Sequence, residues 1–269
     1  MCIRDRYRAI ITGSDQVWNP HIFDFDEMFF FPFETKAIKV GYSVSIGESS
    51  LEDIRGYSKY AKDFPYVGLR EKGAKEKVEA ICGHSVVDTV DPVLLLTRED
   101  WETFVDKSSP LAKEKYLLCY LIDKKPIKQN MAIAEQIAKE RGLKIKYIWM
   151  HLEKESFRGN FINDASPVEF LNYMYHASAV MTDGYHGTVF STIFNKPMYS
   201  VINNRQSTDS RIRDYLTLIG LESRIFYGDA PVIPKEEIDY TEVDPKIRSA
   251  ADASKAFLQS AIDNERVVK

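Results

Sequence analysis

The sequence predicts a parallel α/β fold built as two Rossmann-like halves. Three observations carry that expectation. Short apolar runs alternate with helix-patterned segments along most of the 269 residues. The alternation restarts after Lys107-Ser108-Ser109-Pro110. Tyr116–Ile122 is apolar almost throughout, which suits a strand covered on both faces rather than one with a wet side.

The elements follow in order. Ala9–Thr12 reads as a strand ending at Gly13-Ser14-Asp15, and Lys39–Ser45 as a second strand closed by Gly47. Leu51–Phe64 has a helical pattern, Tyr66–Leu69 is a strand, Ala74–Ile81 a helix and Ser85–Val87 a strand. Asp91-Pro92 breaks the chain, and Trp101 falls on a short helix after it. The second half opens with the strand at Tyr116–Ile122. A helix follows from Pro126 to Arg141, with proline in its first turn and Gly142 at its stop. Lys144–Met150 is the next strand. Ser166-Pro167-Val168-Glu169 is a capping box that opens a helix running to about Ala177. A strand over Ala179–Thr182, a helix over Thr188–Phe194 and a strand over Met198–Ile202 come next. Helices over Ser210–Ile219 and Lys246–Ile262 complete the chain. The expected division is 1–109 for a partial N-terminal domain and 110–269 for a C-terminal domain carrying the last helix. Met1–Arg6 shows neither an apolar period nor a cap. It is set aside as a short foreign leader on a truncated first domain.

Composition narrows the function. Hydrophobic content of 44% and aromatic content of 12% suffice for two cores. A net charge of -4 argues against a broad nucleic-acid surface, so no nucleic-acid partner is expected. Cys2, Cys82 and Cys119 form neither a disulfide framework nor a metal-like spacing, and the histidines form no close cluster. No metal is expected. No run of 18 apolar residues and no signal pattern occur, so a cytoplasmic location is expected, with peripheral membrane contact left open.

Two loops at predicted carboxyl ends of strands could carry chemistry, because ligands of open parallel sheets bind there. "TDGYHGTVFS", residues 182–191, turns from strand into helix. A helix start offers unpaired N–H groups and a positive dipole end to an anion. His186 can move a proton near neutral pH. Spacing alone leaves a plain capped turn equally open. "ITGSDQVWNP", residues 11–20, sets Asp15, Gln16 and Asn19 beside Trp18, the mixture of polar forks and planar face that suits a sugar. Taken alone, this stretch reads more simply as a capped turn with Trp18 in the core. Arg70 follows the strand Tyr66–Leu69, and Arg205, Arg211 and Arg213 follow Met198–Ile202. Each could grip a carboxylate or phosphate, or form only surface salt bridges.

As an ordered set, "GSDQVWNP", "GYSVSIG", "VGLREKG", "VDPVLLL" with Trp101 after it, "SPVEFLNYMYHASAVMTDGYHGTVFSTIFNKPM" and "DSRIRDYLTLIGL" resemble the polysaccharide pyruvyl transferase family. The resemblance spans about residues 9 to 222. It implies a two-domain GT-B-like architecture and an activity that moves an enolpyruvyl-derived group from phosphoenolpyruvate to a sugar, giving a pyruvate ketal and phosphate. It places His186 at the active site. The family's usual Ser-Phe before that histidine is replaced here by Gly184-Tyr185. It also implies an earlier strand and glycine-containing loop before "GSDQVW". The substrate contacts expected are Arg70, Asp183, Tyr185, Gly187, Thr188, Arg205 and Arg211, with Gly13, Ser14, Asp15, Gln16 and Trp18 on the other loop. Phosphoenolpyruvate would be the donor substrate, no cofactor is expected, and the acceptor would be a saccharide or a lipid-linked glycan. Two competing readings share the architecture: a glycosyltransferase using a nucleotide sugar, and a glycan-binding member without catalysis. A serine hydrolase is excluded by the lack of G-x-S-x-G.

Overall fold

The computed structural model describes residues 7–123, 126–149, 161–203, 210–227, 233–234 and 236–263. The chain divides into two compact units. The first comprises the described residues of Met1–Leu95, Ser207–Tyr215 and Asp244–Lys269, the second those of Leu96–Gln206 and Leu216–Val243.

In the first unit, β1 (Ala9–Thr12), β2 (Ile38–Val44), β3 (Tyr66–Leu69) and β4 (Val87–Asp88) form a wholly parallel sheet in that order. Helices α1 (Leu51–Arg55), α2 (Ser58–Ala61) and α3 (Lys75–Cys82) lie in the crossovers. Ser50 and Asp53 form a reciprocal capping box on α1. The single helix expected over 51–64 is broken at Gly56-Tyr57, where the Ser58 hydroxyl donates to the Arg55 carbonyl at 2.8 Å and takes up one of the orphan acceptors of the helix end. Strand β2 changes face in its course. Ser43 sits at φ 50 and the register against β3 shifts between Gly41 and Val44. Val40 and Tyr42 therefore pack in one cluster with Tyr66, while Val44 and Ile46 pack in another with Trp18, Phe30, Phe64, Val67 and Leu69.

The second unit opens with α4 (Arg98–Glu102) and holds a six-stranded sheet of β5 (Tyr116–Leu121), β6 (Lys144–Trp149), β7 (Phe161–Ile162), β8 (Ala179–Thr182), β9 (Met198–Ile202) and β10 (Ile225–Tyr227). All pairings are parallel and the order is β10-β9-β8-β5-β6-β7. The chain therefore starts in the middle at β5, moves outward to β7, and returns to the other side of β5 at β8. Helix α5 (Ile127–Arg141) covers one face, burying Ile133, Ala134 and Ile137 with Leu117, Cys119 and Met181. Helices α6 (Pro167–His176) and α7 (Tyr185–Ile193) cover the other, where Phe170 meets Tyr120 edge-on at 5.1 Å between ring centres. Helix α8 (Arg211–Ile219) follows β9, and α9 (Tyr240–Asp263) ends the described chain. No described helix is long and apolar enough to cross a membrane.

This division differs from a cut at 109/110, for packing reasons at both ends. Trp101 on α4 packs edge-on against Phe190 of α7 at 5.0 Å, and the Asp106 N–H donates to Asn172 of α6 at 2.8 Å. These contacts draw residues 96–110 into the second unit. Phe257 and Ala261 of α9 pack on Val40, Tyr42 and Tyr66, which returns the end of the chain to the first. Helix α9 also starts before Lys246, with Pro245 inside it and Asp239 accepting from the Thr241 N–H at 2.9 Å near its start.

Trp18 is the keystone of the first core. It is fully buried, stacked on Phe30 at 4.7 Å and edge-on to Phe64 at 5.4 Å, and its indole N–H donates to the Phe29 carbonyl. Trp18→Ala is expected to cost about 3–5 kcal/mol. Denaturant unfolding of the variant checks this, with a marked fall in midpoint as the expected result.

Candidate functional site

In the second unit, β5 and β8 are neighbours that the chain leaves in opposite directions, β5 toward β6 and β8 toward β9. Such a switch point opens a crevice at the carboxyl ends of the two strands. The "TDGYHG" turn lies there. Helix α7 starts at Tyr185, earlier than the sequence pattern suggests, because Gly184 is already its extended N-cap at φ -104 and ψ 147. Tyr185, His186 and Gly187 are thus its first three residues. The N-cap is a glycine and so brings no side-chain cap of its own, and the Gly184 N–H is taken by the Thr182 hydroxyl at 3.1 Å. His186 is half-buried, its ring edge-on to that of Tyr185 at 5.4 Å.

Asp183 does not cap the helix. Its carboxylate reaches across to β5, accepting from the Ile122 N–H at 2.7 Å and the Asp123 N–H at 3.3 Å. The carboxamides of Asn130 and Asn203 also donate to it, at 3.1 and 3.4 Å. Burial raises its pKa to about 6, with the Ile122 N–H pulling the other way and the nearby Asp123 carboxylate adding to the rise. The folded value lies above an unfolded value of about 3.9. The contribution of this group to stability is therefore full at low pH and is lost as the pH rises through about 6. The melting temperature of the native chain minus that of Asp183→Asn should fall as pH rises from 4 to 7. Taking the difference cancels the other carboxylates, and a flat difference would contradict the assignment.

Gly187 and Thr188 have structural work in this turn. A Cβ on Gly187 would lie 2.2 Å from the Thr182 hydroxyl and 2.8 Å from the Tyr120 ring, so the glycine lets α7 settle onto β8 and β5. Thr188 is fully buried, and its hydroxyl donates to the Gly184 carbonyl at 3.1 Å and pairs with Ser200 at 3.0 Å. Tyr185 is also buried. In a helix, Gly→Ala gains about 0.5–1 kcal/mol of propensity, whereas overpacking a closed contact costs about 1–3 kcal/mol. The collision is with a buried strand residue, so the steric term wins. Gly187→Ala should lower the melting temperature by several degrees.

The other loop holds a second constellation, in the first unit. Arg70 lies at the carboxyl end of β3, its side chain 1% exposed, bonded to Asp15 at 2.8 Å and to Asp91 at 2.9 Å. Ser14 donates to Asp91 and to the Ser43 carbonyl, both at 3.2 Å. Arg70 is thus a buried internal clamp rather than a surface cation offered to a ligand. Trp18, for its part, is core and not a sugar platform. Gly13 is at φ 124, and a Cβ there would lie 2.0 Å from the Tyr42 carbonyl oxygen. Asp15, Gln16 and Arg211 do come together: Asp15 accepts from the Gln16 N–H at 2.8 Å and lies 3.5 Å from the Arg211 guanidinium. Arg205 lies outside the described residues. Asn130, Asn203, Glu48 and Ser49 were not singled out from the sequence. Only their position, at or just beyond the carboxyl ends of strands or facing them, marks them. A larger cavity of about 690 Å³, lined in part by Lys39, Lys59 and Tyr60, sits at the amino end of β2. Lys39 is committed there to Asp63 at 3.1 Å and to the Phe31 carbonyl.

Comparison with known proteins decides the family. The sequence profile of the family described as polysaccharide pyruvyl transferase matches residues 2–205. The chain belongs to the polysaccharide pyruvyl transferase family. An enzyme of that transferase kind is accordingly supported. No curated protein sequence matches the chain. Among solved structures, one described as UDP-N-acetylglucosamine 2-epimerase aligns with TM-score 0.51 and 11% identity, over 90% of this chain and 69% of that one. A putative UDP-N-acetylglucosamine 2-epimerase from Listeria monocytogenes aligns at 0.49 and 11%, over 87% and 69%. UDP-GlcNAc 2-epimerase from Methanocaldococcus jannaschii aligns at 0.47 and 11%, over 81% of this chain and 63% of that one, so this chain spans less than two thirds of that relative. The likeness to the structure aligned at TM-score 0.51 is one of fold: α/β, GT-B-like, with two Rossmann-like units of parallel sheet.

Proposed function

We propose that this pyruvyl transferase takes its group from phosphoenolpyruvate and forms a pyruvate ketal on a saccharide or lipid-linked glycan, with His186 as the proton donor. The observation that carries the reading is the placement of His186 in the first turn of a helix with a glycine N-cap, at the switch point of the second sheet. The N-terminal N–H groups of α7 and its dipole suit a phosphate or carboxylate. The imidazole stands one residue inside that end, close enough to serve the same ligand.

The chemistry balances as follows. A proton from His186 goes to the methylene carbon of phosphoenolpyruvate, turning it into a methyl group. One acceptor hydroxyl adds to the adjacent carbon, and the C–O bond to phosphate breaks. A second hydroxyl then adds to the same carbon and closes the ketal. The two hydroxyls release two protons, which return the one consumed and leave one on the phosphate. Preorganised N–H groups at the helix start would stabilise the departing phosphate.

Phosphate release from phosphoenolpyruvate, assayed with a panel of sugar acceptors, tests this. Acceptor-dependent release is expected, with a loss of at least about 100-fold in His186→Ala, in line with the usual worth of a general acid. The circular dichroism of that variant should be unchanged, since His186 is not part of the core. Nucleotide release from a nucleotide sugar, without phosphate release from phosphoenolpyruvate, would instead assign glycosyl transfer.

A further inference from the structure

A pocket of about 490 Å³ lies in the first unit, lined by Gln16, Asn19, His21, Glu48, Ser49 and Arg211. Its size falls within the range of about 300–1,000 Å³ usual for small-molecule sites. It sits just beyond the carboxyl ends of the adjacent parallel strands β1 and β2. Every lining side chain is polar or charged, and none is aliphatic or a Trp, Tyr or Phe.

The wall is built rather than incidental. Asn19 is buried; its carboxamide donates to Gln16 Oε1 at 2.6 Å and accepts from the Ser49 hydroxyl at 2.8 Å and the His21 N–H at 3.0 Å. Gly47 makes room for it. A Cβ there would lie 2.3 Å from Gln16 Oε1 and 2.7 Å from Asn19 Nδ2, and its φ of +55 is already in the left-handed region. The second glycine of "GYSVSIG" is therefore tied to the shape of this wall.

Charge decides the ligand. The pocket's arginine is opposed by Asp15 at 3.5 Å and by the Glu48 carboxylate in the lining. His21 pairs with Asp53 at 3.2 Å, and Arg70 is sealed between two aspartates. A phosphate or carboxylate entering here meets one neutralised cation and one carboxylate. A neutral ring of hydroxyls meets carboxamides, a hydroxyl, a carboxylate and a guanidinium, which together offer both donors and acceptors. We propose that this pocket is a subsite for a neutral, polyhydroxylated sugar ring, held through its hydroxyls. Its designation as the acceptor side rests on the function proposed above; its preference for a neutral sugar does not.

Saturation-transfer NMR on the full chain tests the subsite, with the methyl glycosides of glucose, galactose, mannose and N-acetylglucosamine as probes. At least one glycoside should show transfer. Its affinity should drop tenfold or more in Gln16→Ala, a truncation that leaves the buried core untouched, and in Gly47→Ala. It should be unchanged in His186→Ala, and added inorganic phosphate should not displace it. Silence from all four probes, binding that persists in both pocket variants, or displacement by phosphate would each overturn the proposal. Glycoside binding with no phosphate release from phosphoenolpyruvate would keep the subsite and remove the pyruvyl-transfer reading. Phosphate release with no glycoside binding would do the reverse.

Discussion

The carboxylate of Asp183 joins two strand ends at the point where the chain reverses its direction across the second sheet. Beyond β5 the Ile122 and Asp123 N–H groups have left the ladder and need an acceptor. Asp183, at the end of β8, supplies it. Its side chain is thereby committed to β5 rather than to the start of α7, whose N-cap is Gly184. Gly184 and Gly187 keep the turn tight: Cβ atoms there would meet Ile122 and Thr182 at 2.4 and 2.2 Å. The position of His186 in the first turn of α7 follows from this strand-to-strand tie. The cost is a desolvated carboxylate, visible as its raised pKa.

The first unit meets the same problem of loop ends at a sheet edge with opposite electrostatics. Arg70 bridges the loop after β1 and the turn after β4 through Asp15 and Asp91. A buried ion pair of this kind adds little net stability over a well-packed apolar substitute, yet losing one partner costs about 3–5 kcal/mol. Its effect here is geometric. It fixes Asp15, which orders the Gln16 N–H, and so it sets the wall that Asn19 and Gly47 complete. Glu71, next in sequence, is buried too. Burial raises its pKa against the pull of Arg70, and it accepts from the Ser45 hydroxyl and the Ile46 N–H, both at 2.9 Å.

Much of this was legible in the sequence because it is written in local chemistry. The apolar runs of β5 and β8, the Ser166 capping box and the glycine after α5 each act within a few residues, and the structure keeps them all. What escaped depends on distant partners. Trp18 lies among polar residues, and only Phe30 and Phe64 make it core. Arg70 resembles a ligand-binding arginine until Asp15 and Asp91, 55 and 21 residues away, are seen to hold it. Gly187 suggests room for a ligand, but the close neighbours are Thr182 and Tyr120. The short strands β7 and β10 carry too few residues for a period. The return of α9 to the first sheet is a matter of topology, which an amphipathic pattern does not encode.

The distribution of charge separates recognition from proton transfer. Moving an enolpyruvyl group requires a titrating donor near the methylene carbon and a positive field for a leaving phosphate. Cations already cancelled by carboxylates serve neither purpose. At the carboxyl edge of the first unit Arg70 and Arg211 each face an aspartate. At the edge of the second unit the fixed positive end is a helix start, which no side-chain proton can neutralise. Its companion is the His186 imidazole, in the first turn of that helix. These are opposite solutions at equivalent edges of two similar sheets. The two proposals accordingly assign anion chemistry to the second sheet and hydroxyl recognition to the first.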